Sequence, residues 1–368
     1  MATAYATKLA EGYSTKLLKE MYDQSLTDMI VNREYEGEIN GVGSVLNIFA
    51  LDRIAEQDYT GANLNPADLY EKNAQLVIEK KKSFYPRIYT IDQWYSYFKN
   101  LKSAVMQQMA GERNRNMDIY VLGKYDDVAA GNRIGTDYTT GTLTGSSAGV
   151  VTGSGTTFTS SMVGKPFKAM GHTQWYRVAS FSSTTSITIE DDLDDVDSQY
   201  TGGAISAGTA YTIQANTAVT LSASNLLTYV SRAKRMLDIA QRDNKSRVPN
   251  FGRWMIVPAE FEELLPTATG VALNVPAVYE DLVKKGFLTE LQGFKIFKSN
   301  DLAGDATNGF HILAGHSNWM TFADKLLQAR MEEDLDGNFG AAYKDLFVYG
   351  GKVPDTRRHM AVDLFAKF

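Results

Sequence analysis

Apolar residues along this chain change their spacing several times, and each change marks a different kind of element. From Thr7 to Asp23, Leu9, Tyr13, Leu17 and Met21 recur every fourth residue, which places them on one stripe of a helix. A helix this short is marginal by itself, so it is expected to lie across another surface. Gly41 and Gly43 then punctuate a turn, and Val45–Asp52 reads as a strand. A second extended run covers Ala74–Thr90, with the polar, turn-rich EQDYTGANLNPADLYEK between the two. Two extended runs about a long polar tip predict a large β-hairpin. An isolated hairpin is barely stable in water. It either finds a partner surface or folds back onto its own domain.

From Ile91 to about Gly123 the spacing returns to three and four, through Ile91, Trp94, Phe98, Leu101, Val105 and Met109. A helix over this stretch would reach about 45 Å at ~1.5 Å per residue. Gly111 is a candidate kink, and GERNRN interrupts the apolar stripe with charge. Between about Gly135 and Gln214 the chain becomes rich in Thr, Ser and Gly and nearly free of Lys and Arg. Its short pieces GVVTG, PFKAM, QWYRVASF, TSITIE and AYTI predict a small all-β domain, a sandwich or small barrel, inserted between stretches of different character. LSASNLLTYVSRAKRMLDIAQ then reads as an amphipathic helix. Leu226, Leu227, Val230, Leu237 and Ala240 line one face, with Ser222 or Ser224 as its cap. WMIV is a strand running into Pro258, which opens the helix AEFEELL where its missing N–H is harmless. A helix over Pro276–Lys285, the strands LQGFKIFKSNDL and GFHILAG, and a tail of extended runs complete a mixed α+β remainder.

At 368 residues the chain is longer than one hydrophobic core usually serves, so two or more domains are expected. The 44% apolar and 22% charged content is that of a globular protein with ample core material. The absence of cysteine excludes disulfides, thiolate metal sites and cysteine nucleophiles, and suits a reducing cytosol. The first residues lack the apolar core of a signal peptide, and no stretch has the length of a membrane span. A soluble protein made in the cytoplasm is expected. The net charge of −6 argues against general nucleic-acid binding. The basic clusters at Lys80–Lys82, Ser231–Arg235 and Thr356–His359 are short and scattered, and read as solvated surface.

No catalytic, cofactor or metal constellation survives inspection. GSSAG (Gly145–Gly149) matches the nucleophile-elbow pattern literally. That elbow needs a buried strand before the serine and a helix after it, and both flanks here are Thr/Gly-rich β material, so Ser147 reads as a turn residue. EDDLDDVD (Glu190–Asp197) lacks the glycine and terminal glutamate of an EF-hand loop in any register and reads as an acidic loop. His172, His311, His316 and His359 form no zinc motif, and His311 and His316 are expected to be satisfied by their surroundings. Glu260, Glu262 and Glu263 fit the first turns of a helix, whose dipole favours acids, better than they fit an acid/base pair.

The order of these parts resembles a tailed-bacteriophage major capsid protein of the HK97 fold. RWMIVPAEFEELL looks like that family's strand–Pro–helix element in the axial domain. LTELQGFKIFKSNDL resembles its G-F-x-I-x-x-S-N-x-L strand through Gly293, Phe294, Ile296, Ser299, Asn300 and Leu302. FHILAGHSNWMTFADKLLQARMEED is similar to the following strand and its run into the peripheral domain, and LFVYGGKVPDTRRHMAVDLFA to the C-terminal close. The resemblance implies an α+β, HK97-like capsid fold. Its parts are an N-terminal arm (1–33), an extended β-hairpin loop (34–90), a long spine helix with peripheral-domain residues (91–134), an axial domain (215–315) and a return to the peripheral domain (316–368). The inserted small all-β domain occupies 135–214.

The function implied is self-assembly, through hexamers and pentamers, into the icosahedral shell of the virion, built in the host bacterial cytoplasm. Such a shell encloses packaged phage dsDNA without sequence-specific binding, and no enzymatic activity, cofactor or membrane is implied. Partners implied are a portal, a separate scaffolding protein, since an arm of about 35 residues is short for a fused scaffolding segment, and a cement or decoration protein. Subunit contacts are expected on the extended loop, with Arg53, Tyr59, Lys80, Lys81 and Lys82 as candidates. The inserted domain is expected to brace the outer face. The alternative from another class is a surface-displayed adhesin whose β domain binds glycans through an exposed Trp175 and Tyr176, a reading that gives the long helix no role.

Overall fold

The computed structural model describes residues 25–34, 45–51, 71–89, 101–192, 199–239, 248–265, 290–332 and 340–368. The helices expected over Thr7–Asp23 and Pro276–Lys285 lie outside them. In chain order, one turn of helix, α1 (Thr27–Ile30), precedes β1 (Val45–Leu51), β2 (Glu71–Val77), β3 (Lys80–Phe84) and β4 (Arg87–Tyr89). Helix α2 (Leu101–Leu122) leads into β5 (Arg133–Ile134), β6 (Thr136–Tyr138), β7 (Thr142–Gly145), β8 (Val150–Ser154) and β9 (Pro166–Ala169). Then come β10 (Tyr176–Ser183), β11 (Ser186–Asp191), β12 (Ile205–Thr209), β13 (Tyr211–Thr217) and β14 (Val219–Thr220). Helix α3 (Leu226–Ile239), β15 (Arg253–Val257) and α4 (Ala259–Leu264) follow. The remainder is β16 (Glu290–Leu291), β17 (Phe294–Lys298), β18 (Gly304–Asp305), β19 (Gly309–His316), β20 (Thr321–Glu332), β21 (Gly340–Lys352) and β22 (Ala361–Lys367).

The largest core surrounds a mixed sheet in the order β14-β22-β19-β15-β17-β16. All five residues of β15 are buried, as a strand without alternation requires when both its faces are covered. Leu226, Val230, Ala233 and Leu237 of α3 and Phe261 of α4 enter the same core. Pro258 occupies the N-cap of α4, one residue before the expected position. The α3 cap differs from expectation: the Ser222 and Ser224 hydroxyls lie 3.0 Å from each other, and the Ser222 backbone carbonyl accepts from Leu226 N at 3.1 Å. Asn225 instead folds the preceding turn, accepting from Ser222 N at 2.8 Å and donating to Thr220 O at 3.0 Å. Arg253 is buried at the start of β15 and is neutralised by Asp238 of α3 at 2.8 Å, with Pro249 O also 2.8 Å away. A buried cation with this many partners is held, whereas an unpaired one would not be tolerated.

A second sheet, antiparallel throughout, runs β12-β7-β8-β11-β10-β9-β13-β6. Residues from strands at both ends of this order, Ile205 and Leu143 at one end and Ile213 with Tyr138 at the other, meet in a single cluster with Phe158, Phe167 and Tyr211. The sheet therefore rolls around its own core, which shares no residue with the first. The five strand-like pieces read from sequence all lie in it, and β6, β7 and β12 are additions. The chain leaves the main sheet through β5 and rejoins it through β14, both parallel to β22, at Asp363–Leu364 and Ala366–Lys367 respectively.

The third sheet pairs β20 with β21 over almost their full lengths, and β3 and β4 add to the other edge of β21. Helix α2 is unbroken through Gly111, and its 22 residues span about 33 Å at ~1.5 Å each. The rest of the expected helix, residues 91–100, lies outside the described residues. The charged interruption has a structural use: the Arg113 guanidinium lies 5.9 Å above the ring of Phe347 on β21. Four residues further along, Met117 and then Val121 and Leu122 enter the main core.

Asp118, on the same helix, ties down the chain ahead of it. Its buried carboxylate accepts from Leu26 N (3.1 Å), Thr27 N (2.9 Å), Thr27 Oγ1 (2.6 Å) and Ser25 Oγ (3.0 Å). These are the otherwise orphaned donors at the start of α1, satisfied by a residue about ninety positions away. Asp118→Ala is expected to cost roughly 3 kcal/mol, the order of losing charge-assisted hydrogen bonds that leave buried donors unpaired. The measurement is amide hydrogen exchange: protection of Leu26 and Thr27 should be lost while that of β15 and β19 is retained. Unchanged exchange at Leu26 and Thr27 would refute the tether.

Candidate subunit-contact surfaces

The sequence-predicted hairpin exists as a two-stranded antiparallel pair, β1 with β2, in register from Val45↔Val77 to Leu51↔Glu71. Its second run does not stay with its first. After Val77 the chain passes to β3 and β4, which pair with β21, because Leu76 and Ile78 are drawn into a small core with Ala323 and Val348 of the β20–β21 sheet. Leu46 and Leu327 pack around it. That cluster fixes the root of the hairpin to the body. The approach is close because Gly350 has no side chain: a Cβ there would come within 2.4 Å of Val77 O and 2.9 Å of Ile78 Cα.

The candidate contact residues separate accordingly. Arg53 and Tyr59 lie outside the described residues. Lys80, Lys81 and Lys82 form most of β3, opposite Tyr349, Val348 and Phe347, and all three are exposed. They belong to the body sheet at the hairpin's root. The period of two along a strand sends Lys80 and Lys82 to one face and Lys81 to the other. Lys80 Nζ sits 5.9 Å from the Tyr120 ring of α2, which identifies the helix side. Among the described residues none of the three has a carboxylate partner.

Where the rolled sheet meets the body, four groups stack in series. Tyr125 lies on His311 (centroids 3.7 Å apart), His311 on Phe365 (4.3 Å), and Lys165 Nζ caps the Phe365 ring at 4.9 Å. His311 Nδ1 is 2.9 Å from Asp363 Oδ2, and Asp363 is buried. Lys165 donates to Ala215 O at 3.0 Å; burial lowers its pKa from the ordinary value, against an opposing pull from Asp363. Gln214 bridges the same joint, accepting from Gly131 N and donating to Arg133 O, both at 2.8 Å. Arg358 closes it on another side, reaching Asp127 O (3.0 Å), Asp192 O (2.9 Å) and Asp192 Oδ1 (3.1 Å).

These contacts revise two expectations. The acidic stretch is not uniformly solvated: Asp191 is buried and accepts from Thr201 N and Oγ1, and Asp192 is held by Arg358, while 193–198 lie outside the described residues. Tyr176 is buried, not exposed, with its hydroxyl 2.8 Å from His172 Nδ1. Trp175 is half-buried beside Gly131, with Lys168 Nζ 5.4 Å from its ring. Neither is displayed for stacking on a sugar.

The sites of suspected chemistry are structural. Ser147 sits in the turn between β7 and β8, with no helix following it. Glu262 pairs with Lys298 at 3.0 Å. Among the described residues no group of three or more His, Asp or Glu side chains could hold a metal ion, and no helix is long and apolar enough to cross a membrane. Sequence reasoning passed over Asp118, Lys165 and Asp363, since each acts on partners remote in the chain and belongs to no local motif.

Two predictions follow from this geometry. Gly350→Ala is expected to push the hairpin root off β21, because the obstruction is backbone. Proteolysis within residues 52–70 should become at least several-fold faster while β15 stays protected, and an unchanged rate would disprove the close approach. His316 is buried and its pKa is lowered, first by burial and then by Arg253. The unfolded chain therefore binds a proton near its ordinary pKa of 6.5 before the folded chain does. Stability from this group is complete above that pH and falls as the pH drops towards the folded value. His316→Gln should flatten the fall in Tm below pH 6.5 relative to the parent; parallel curves would contradict the assignment.

No protein-family model matches the sequence, and no curated protein matches it. Solved structures do. A structure from Mycobacterium phage Che8 superposes with a TM-score of 0.59 at 18% identity, covering 96% of this chain and 95% of that one. The capsid of cyanophage P-SCSP1u gives 0.59 at 13% identity, covering 100% and 95%. The capsid of Ralstonia phage GP4 gives 0.58 at 12%, covering 100% and 98%. Over nearly its whole length, this mixed α+β chain has the fold found in phage capsid structures.

Proposed function

We propose that this chain is a major capsid protein of a tailed bacteriophage, many copies of which assemble into the icosahedral shell of the virion around packaged dsDNA. The observation that carries the reading is the extent of the fold match, 95% or more of both chains in each of the three comparisons. The architecture supports it. A two-stranded arm rooted by a few residues, a long helix lying against the β21–β3 sheet, and polar groups committed to structural contacts serve assembly better than catalysis.

On this reading residues 1–33 are the N-terminal arm, 34–90 the extended loop, 91–134 the spine helix with peripheral residues, 215–315 the axial domain and 316–368 the peripheral return. Residues 135–214 are an inserted domain that braces the outer face. Arg53, Tyr59, Lys80, Lys81 and Lys82 contact neighbouring subunits. The shell forms in the host bacterial cytoplasm, with a scaffolding protein, a portal and a cement protein as partners. Nothing observed favours the glycan-binding adhesin, whose two aromatic candidates are buried or half-buried.

Expression with and without a candidate scaffolding protein, followed by electron microscopy, tests the proposal. Closed shells or curved sheets are expected, and a deletion of 135–214 should give poor or wrong-sized particles. A chain that stays monomeric under every condition would end the reading.

A further inference from the structure

The main sheet carries opposite charge at its two ends. Strands β15 and β17 run parallel, with Trp254 opposite Lys295 and Val257 opposite Lys298, so they start together and finish together. At their starting end, helix α3 is pinned by the Asp238–Arg253 pair and by Ser231 Oγ, 2.9 Å from Gln292 in the β16–β17 turn. Between α3 and that turn opens a cleft of about 520 Å³ lined by Ser231, Lys234, Arg235, Asp238, Ile239 and Gln292. Lys234 and Arg235 are exposed, as is Arg232 beside them. Among the described residues none of these three cations has a carboxylate partner. At the finishing end, roughly 10 Å of strand away, α4 presents Glu260, Glu262 and Glu263. Glu262 is paired with Lys298, whereas Glu260 and Glu263 have no cationic partner among the described residues.

One unit that bears an unpaired cationic cleft at one end and unpaired carboxylates at the other is complementary to a translated and rotated copy of itself. We infer that the α3 cleft of one copy receives the acidic face of α4 from a second copy, with Glu263 and Glu260 meeting Lys234 and Arg235. The contact is heterologous: two different patches are used, so a joined pair still offers one free cleft and one free acidic face. Repetition closes a ring when the rotation between copies divides the circle. Exposed pairs of this kind are screened by salt within a Debye length of about 10 Å at 0.1 M. The contact therefore orders subunits around an axis and sets their direction, while apolar contacts supply most of the holding energy.

This inference rests on the shell reading above, and the test separates the two. The parent chain contains no cysteine, so K234C/E263C can be bridged specifically with a short bis-maleimide reagent after assembly. A ladder of covalent oligomers is expected on denaturing gels, and K234C or E263C alone should give none. In parallel, K234E/R235E and E260K/E263K should each lower particle yield at least ten-fold near 0.1 M salt, and the combined four-fold variant should restore it. Circular dichroism on each variant confirms that the exposed changes leave the fold intact. A parent that assembles while K234C/E263C gives no ladder overturns the inference alone. So does a K234E/R235E variant that forms normal particles and loses only nucleic acid, which would assign the cleft to phosphate. A parent that never assembles overturns both readings.

Discussion

Strand β22 has to satisfy two edges at once. One edge takes β19 over six consecutive pairs, from Phe310↔Ala366 to Gly315↔Ala361. The other takes β5 and β14 end to end, both parallel. Backbone groups in a covered strand must all be paired, so the body is complete only when the segment before residue 135 and the segment after 218 both reach the last residues of the chain. The rolled sheet of β6–β13 leaves and returns through those two adjacent points. Its presence costs the main sheet no hydrogen bond, because the gap it fills lies between two strands that share one edge.

Charge is used in the same manner. Asp118, Arg253 and Asp363 are buried; Asp118 and Asp363 are met by groups 91 and 52 residues away, and Arg253 by Asp238 of the preceding helix and by the turn before β15. An isolated buried ion is expensive, and removing one partner leaves the other stranded. Such pairs make poor general sources of stability but strong determinants of which surfaces meet. Here they fix α1 to α2, α3 to β15, and the ring stack of the joint to β22.

Much of this was legible in the sequence where the signal was local. RWMIV followed by Pro258 and an acidic turn announced strand, cap and helix, since burial of every position and the missing N–H of proline each have one economical interpretation. The rolled sheet was legible through its Thr/Ser/Gly composition and short alternating runs. The failures share a cause. Arg113 looked like an interruption because its partner, Phe347, lies more than two hundred residues later. Val77 looked like the middle of one strand because nothing nearby reports that Leu76 and Ile78 pack on β21. Tyr176 looked exposed because alternation fixes which residues share a face, not which face is inside. Arg53 and Tyr59 lie beyond what the structure describes, so the hairpin's far end was read from sequence alone.

The root of the hairpin repays a mechanical reading. Four buried residues hold it, with no methyl group at position 350 to wedge it outward. Seven paired residues extend about 23 Å at ~3.3 Å each, so a tilt of some 10° at the root swings the distal end by roughly 4 Å. This root cluster is far smaller than the cores of the main and rolled sheets, so a bend there disturbs the least packing. If copies of this chain tile a shell as proposed, a bend at this shoulder is the means by which one polypeptide meets neighbours set at different angles.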